Sequence, residues 1–126
     1  MSKNRQPRGE QVRREILGDE HVDTAQQRTS DFTRPFQEYV TGAAWADVWG
    51  RPGLDRRTRS AITLALLTAL RADGEIPMHV RAALRHGLSR DEIAEVLLHA
   101  AVYAGLPAAN AAFRVADEVL RAEDEG

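Results

Sequence analysis

The segment from Asp55 to Arg71 constrains the fold more than any other part of the chain. Asp55 is a good N-cap residue, and the residues after it form a long run suited to a helix. The apolar residues of this run are Ala61, Ile62, Leu64, Ala65, Leu66, Leu67, Ala69 and Leu70. A helix that is apolar almost all round is normally buried. We therefore expect this helix to be the central one of the fold, with Ala72-Asp73-Gly74 ending it.

Two helices are predicted before this segment. The first runs from Gly9 to about Arg28, with an interruption near Gly18. It is polar apart from a thin apolar stripe formed by Val12, Ile16, Leu17 and Val22. Such a stripe is too small for a core of its own, so we expect it to lie against another subunit. The second helix runs from Thr33, a candidate N-cap, through Pro35 to Trp49.

Three further helices are predicted after it. Pro77 is placed near the start of one that closes at Gly87. Ser89 and Glu92 have the spacing of a capping box, which opens a helix that extends to about Ala104. The last covers Ala108 to about Ala122. Because no segment alternates apolar and polar residues with period two, the predicted class is all-α with about six helices.

The length and composition of the chain limit the classes of partner and the cell compartment that we expect for it. The 126 residues fit a single domain, residues 1–126, of which residues 1–9 are polar enough to form a flexible tail. The net charge of −2 provides no basic field for nucleic acid or an anionic membrane. Without an apolar run at its start, the chain is expected to be cytoplasmic. The absence of cysteine excludes thiol chemistry.

Two Glu-x-x-x-His pairs are candidates for chemistry. Glu75 and His79 share one helical face, Glu95 and His99 share another, and Tyr103 follows one turn later. The pairs are either surface ion pairs or two imidazoles brought together by antiparallel helices, each oriented by its carboxylate. A metal site is less favoured because neither the Glu-x-x-His nor the His-Glu-x-x-His pattern is present.

Charged and aromatic side chains near the central helix form a second group of candidates. Arg56, Arg57 and Arg59 crowd its first turn, where the helix dipole favours anions. Either Asp55 together with carboxylates of a neighbouring subunit compensates them, or the guanidinium groups hold a carboxylate substrate. Trp45 and Trp49, one turn apart, form packing contacts or a pocket wall.

Three stretches of the chain resemble the carboxymuconolactone decarboxylase family. The first and longest is Trp45 to Ser60, WADVWGRPGLDRRTRS. Met78 to Leu84, MHVRAAL, and Leu97 to Asn110, LLHAAVYAGLPAAN, continue the match in order, and Val12 to Val22 adds a weaker one. The resemblance implies an alkylhydroperoxidase-D-like helical fold and a homo-oligomer, commonly a hexameric ring.

The same resemblance separates this chain from the disulfide reductases of the wider superfamily. Those proteins carry Cys-x-x-Cys before a His, and aligning that His with His79 puts Ala72 and Glu75 at the cysteine positions. Without these two cysteines the chain cannot carry out the disulfide redox reaction of those proteins. A second departure is Gly42-Ala43-Ala44, where relatives often carry a His, so this chain has no catalytic histidine there.

The resemblance implies a cofactor-independent carboxy-lyase of aromatic catabolism. Its substrate is a lactone dicarboxylate, 4-carboxymuconolactone, which loses carbon dioxide to give 3-oxoadipate enol-lactone in the protocatechuate branch of the beta-ketoadipate pathway. No cofactor is needed because the conjugated lactone carbonyl accepts the electrons. The alternative is a metal-binding or non-catalytic helical oligomer of the same fold.

Roles can be assigned to the candidates on this basis. We expect His79, supported by Glu75, to donate the proton, and protonated His99 or Tyr103 to stabilise the oxyanion. The residues expected to bind the substrate are Arg57, Arg59, Trp45 and Trp49.

Overall fold

The computed structural model describes residues 5–125, which are helical apart from short connections. The elements are α1 (Arg5–Leu17), α2 (Asp19–Gln27), α3 (Arg34–Val40), a π-helix (Thr41–Trp49), α4 (Arg56–Ala69), a 3₁₀-helix (Asp73–Glu75), α5 (Ile76–Arg85), α6 (Arg90–Ala104) and α7 (Leu106–Glu125). The described residues contain no strand, which confirms the all-α class, with seven α-helices rather than about six. Residues 1–4 of the predicted tail lie outside the described residues, and the chain is helical from Arg5.

The chain divides into two compact units between Arg56 and Arg57. In the N-terminal unit, α1 packs against the π-helix and α2. The predicted first helix is two helices because Gly18 adopts a left-handed φ of 93°, after which Asp19 and Glu20 supply negative charge to the first turn of α2.

The apolar stripe of the first two helices is buried inside the N-terminal unit. Its members are Val12, Ile16, Leu17 and Val22, all at most 7% exposed. Our expectation that this stripe needs another subunit is therefore wrong. The π-helix of the same chain supplies the surface that the sequence pattern of α1 lacked.

Gly9 sets how closely α1 approaches the π-helix. A Cβ atom at Gly9 would lie 2.1 Å from the backbone oxygen of Thr41, closer than any side chain tolerates. A side chain at this position therefore has to push the two helices apart.

We expect Gly9→Ala to lower the free energy of unfolding by about 1–3 kcal/mol, the usual cost of overpacking. Urea denaturation followed by circular dichroism measures it. Gly53→Ala is the matched control, because a Cβ there meets no atom within 4 Å. Equal stability of the two variants would contradict the close packing.

The segment predicted as one helix from Thr33 to Trp49 changes type at Thr41. Thr33 precedes α3 but makes no side-chain cap; its Oγ1 instead accepts a hydrogen bond from the Ser30 backbone N–H at 2.9 Å. Pro35 occupies the first turn, as predicted. The wider turns from Thr41 to Trp49 are of a kind often found at functional sites.

The C-terminal unit has its core among α4, α5, α6 and α7. The buried apolar cluster comprises Leu64, Ile76, Val80, Ala83, Leu88, Ile93, Leu97, Ala112, Ala116 and Val119. The predicted capping box is present: Ser89 Oγ accepts from the Glu92 N–H at 3.1 Å, and Glu92 Oε1 accepts from the Ser89 N–H at 2.9 Å. No helix within residues 5–125 is long and apolar enough to cross a membrane.

The prediction that α4 is the central, buried helix is wrong. Its buried residues are Ser60, Leu64 and Thr68, which form one stripe at four-residue spacing. A second stripe, Ile62, Leu66 and Leu70, is 43%, 54% and 75% exposed. The chain itself thus covers one side of α4 and leaves apolar surface on another.

Candidate active site

His79 lies on the core side of α5. Its neighbours on that side are Ile76, Val80 and Ala83, all buried, and the side chain of His79 is itself only 9% exposed. The spacing of three and four residues places these side chains on one helical face. A titratable imidazole is therefore buried on the face of α5 that forms the core, a position found for catalytic and for structural histidines.

His99 and Tyr103 form a second cluster on α6. Their ring centroids are 5.5 Å apart and the ring planes are inclined by 36°. Both side chains are exposed in the single chain, Tyr103 by 83%. Leu98 and Val102, the apolar residues directly before them, are 52% and 76% exposed. The imidazole and phenol donors thus share an apolar, uncovered surface.

Neither predicted Glu-His contact is found among residues 5–125. Glu75 is exposed at the N-cap of α5, whereas His79 points toward the core. His99 contacts the ring of Tyr103 and forms no ion pair with Glu95. Four-residue spacing alone therefore does not bring a carboxylate to an imidazole: Glu75 is exposed while His79 is buried, and the ring of His99 contacts Tyr103.

Arg57 is held by groups of its own unit. Its Nη2 donates to a Glu92 carboxylate oxygen in a very short contact, and its Nε donates to the Gly87 carbonyl at 3.4 Å. The carboxylate that compensates this first-turn arginine therefore comes from the same chain rather than from a neighbouring subunit. Arg59 is half-buried two residues further along α4.

Glu92 has a second role that sequence reasoning missed. Beyond closing the capping box it binds Arg57, and no local signal links residues 35 positions apart. The Ser89 backbone N–H, and after it the Arg57 side chain, lower the pKa of the Glu92 carboxyl below its ordinary value of 4.5. A carboxyl whose pKa is lower in the folded than in the unfolded protein stabilises the fold at pH values above its unfolded pKa. This stabilisation is lost as the pH falls through the folded pKa.

We therefore expect Glu92→Gln to flatten the acid side of the stability profile. In the wild type the melting temperature should fall between about pH 5 and pH 3, and the variant should lose less over the same interval. Asp91→Asn, which removes a neighbouring exposed carboxyl, is the control. Parallel profiles for the wild type and Glu92→Gln would show that the interaction contributes nothing.

Trp45 and Trp49 lie in the N-terminal unit, on the π-helix. Their ring centroids are 5.4 Å apart and the planes are inclined by 32°. Trp45 is buried and Trp49 half-buried, so this pair packs within its own unit. Its role as a pocket wall stays a prediction.

Clefts of the N-terminal unit involve a different set of residues. One of about 340 Å³ is lined by Gln6, Pro7, Glu10, Arg13, Val22, Gln26 and Thr41, none of which was predicted as a site residue. A group of three or more side chains arranged to hold a metal ion is not found in the described part of the chain.

The folded chain is a small all-helical protein whose candidate chemical groups are imidazole, phenol and guanidinium. The model of the carboxymuconolactone decarboxylase family matches residues 34–118, a range that includes all the predicted site residues. Over 93% of its length the chain is 45% identical to a 4-carboxymuconolactone decarboxylase of Acinetobacter baylyi, and the match covers 87% of that protein. Over 89% of its length it is also 44% identical to a nitrosuccinic acid decarboxylase of Metarhizium robertsii, and this match covers 78% of that protein. The chain therefore belongs to the carboxymuconolactone decarboxylase family.

Proposed function

We propose that this protein decarboxylates 4-carboxymuconolactone to 3-oxoadipate enol-lactone, in the protocatechuate branch of the beta-ketoadipate pathway and in the cytoplasm. The observation that carries the proposal is the 45% identity to a relative of that activity over nearly the whole chain. The buried imidazole of His79 and the His99–Tyr103 pair supply the proton donors that such a reaction needs.

The substrate provides its own electron sink. The departing carboxylate is attached to a carbon that is conjugated, through one double bond, to the lactone carbonyl. When carbon dioxide leaves, the bonding electrons move into that carbonyl and form a dienolate. A proton added to the carbon next to the carbonyl then gives the enol-lactone. The protein has to hold the substrate, stabilise the oxyanion and deliver the proton.

The two substrates named for the relatives have one skeleton in common. In 4-carboxymuconolactone and in nitrosuccinic acid, a single carbon carries the departing carboxylate, a CH₂–COO⁻ arm and an electron-accepting group. The acceptor is a conjugated lactone in one and a nitro group in the other, and both become oxyanions when carbon dioxide leaves. This supports a site that binds the CH₂–COO⁻ arm and stabilises the developing oxyanion, rather than one that recognises the lactone ring.

The remaining assignments follow from the charges and burial of the C-terminal unit. Arg57 or Arg59 binds the carboxylate arm, because a guanidinium has five N–H donors and the contact of Arg57 with Glu92 engages only part of them. His79 donates the proton to carbon, and His99 or Tyr103 stabilises the oxyanion, a role worth about 3–4 kcal/mol for a preorganised donor. Glu75 has at most a long-range influence on His79.

Exposure of the His99–Tyr103 pair supports a homo-oligomer, which we propose to be a hexamer. Oxyanion stabilisation is strongest where water is excluded, yet both donors are exposed in the single chain. A second subunit that covers the apolar surface around them would provide this exclusion.

We expect turnover of 4-carboxymuconolactone by the purified protein to survive exhaustive chelation. The assay follows carbon dioxide release together with loss of the conjugated chromophore, with the metal content of the protein measured in parallel. Activity that disappears with chelator and returns with zinc or iron would overturn the cofactor-independent mechanism. A folded protein without turnover of this substrate would overturn the proposed function itself.

A further inference from the structure

Arg13 differs from Arg5 and Arg14 of the same helix, α1. Arg5 binds Asp47, Arg14 binds Asp19 and Asp23, and these carboxylates raise the pKa of both guanidinium groups. Arg13 has no carboxylate partner among residues 5–125. Its Nη1 donates to the amide oxygen of Gln37 at 3.2 Å, a neutral acceptor.

The positive charge of Arg13 is partly buried without compensation. Its Nε is buried and has no hydrogen-bond acceptor among the described residues, whereas Nη2 makes no hydrogen bond but is not enclosed. Burial lowers the pKa of this guanidinium. Taking a cation out of water without an anion nearby is unfavourable, so an anion that reaches its free edge gains from both charge and hydrogen bonding.

Two clefts border Arg13. The cleft of about 340 Å³ and an adjoining one of about 280 Å³ share Gln6, Arg13, Gln26 and Thr41 in their linings. Both therefore border Arg13, and all their lining residues belong to the N-terminal unit. The volume is sufficient for a molecule of a few non-hydrogen atoms beside the guanidinium.

The surrounding charges select the kind of anion. Glu10 lines one part of the cleft and is held by Gln26 at 2.5 Å, while Glu38 lines the other. Arg34, the second cation of the lining, is already paired with Asp31 at 2.6 Å. A dianion such as phosphate would face repulsion from the two glutamates, whereas a singly charged, planar carboxylate matches one guanidinium.

We propose that the cleft bordered by Arg13 is a binding site for a small monocarboxylate. The carboxylate accepts a hydrogen bond from Nη2 of Arg13, while Nη1 donates to the side-chain amide oxygen of Gln37 and so helps to hold the guanidinium in place. This site is independent of the proposed decarboxylation and involves none of the residues assigned to it.

Titration of the full chain with propionate, followed by NMR at the Arg13 Nε–H and the Gln37 side-chain amide, tests the site. Ionic strength is held constant with chloride. We expect saturable shifts with a Kd on the order of 1–10 mM, as suits a single, partly exposed ion pair. Propionamide, which has the same shape without the charge, should cause no saturable shift, and phosphate should bind more weakly than propionate.

Two variants separate the site from unspecific charge effects. Arg13→Lys keeps the charge but removes the planar fork, and it should weaken propionate binding about tenfold or more. Arg34→Gln removes a cation of the same cleft and should leave the affinity within about twofold, since Arg34 is bound to Asp31. Absence of a saturable shift in the wild type, equal binding of propionamide, or full affinity in a folded Arg13→Lys variant would each overturn the proposal.

Discussion

Replacing His79 with Gln should reduce kcat for 4-carboxymuconolactone by on the order of 10²-fold or more, the usual scale for loss of a general acid. Glutamine keeps a polar side chain of similar length but cannot exchange a proton at working pH. Since His79 is nearly buried on the core side of α5, the variant will also lose some stability. The activity must therefore be expressed per folded molecule, with the folded fraction taken from circular dichroism.

Companion variants distinguish catalysis from packing. His99→Gln should lower kcat without much loss of melting temperature, because His99 is exposed on α6. Glu75→Gln should have a much smaller effect than either, because Glu75 is exposed and forms no ion pair with His79 in the described part of the chain. If His79→Gln is less stable but retains wild-type turnover per folded molecule, His79 is structural and the proton comes from Tyr103, Glu75 or water.

Local signals in the sequence were sufficient for part of the fold. Ser89 and Glu92 form the predicted capping box because both partners lie within one turn. Pro77 stands in the first turn of α5, as its fixed φ favours. The change to a π-helix at Thr41 carried no comparable signal, since its residues also suit an α-helix.

Tertiary packing decided what the sequence pattern left open. The apolar residues of α4 predicted a buried helix, but burial depends on which elements cover it, and the chain covers one stripe. The spacing of Glu75 and His79 indicated a shared face without showing that one residue faces the core and the other the solvent. Arg57 was a candidate substrate ligand, yet its contact with Glu92 joins two helices that are distant in sequence.

A charged substitution on the exposed surface of α6 is expected to have the second large effect, on the oligomeric state. Val102 is 76% exposed in the single chain, and Leu98 and Tyr103, its neighbours on α6, are 52% and 83% exposed. Apolar side chains clustered in this way mark an interaction surface. An aspartate in the middle of such a surface has no partner in the protomer, so Val102→Asp should not disturb its folding.

In the proposed homo-oligomer the same aspartate would be buried without a counter-charge, and symmetry would repeat this cost at each equivalent interface. We therefore expect Val102→Asp to shift the protein from the oligomer to smaller species at micromolar concentration, measured by light scattering after size-exclusion chromatography. Val102→Ala, which adds no charge, should retain the wild-type size. Because His99 and Tyr103 share this surface, dissociation should also remove most of the decarboxylase activity. A wild-type monomer, or a Val102→Asp variant of unchanged size, would show that α6 does not form the subunit interface.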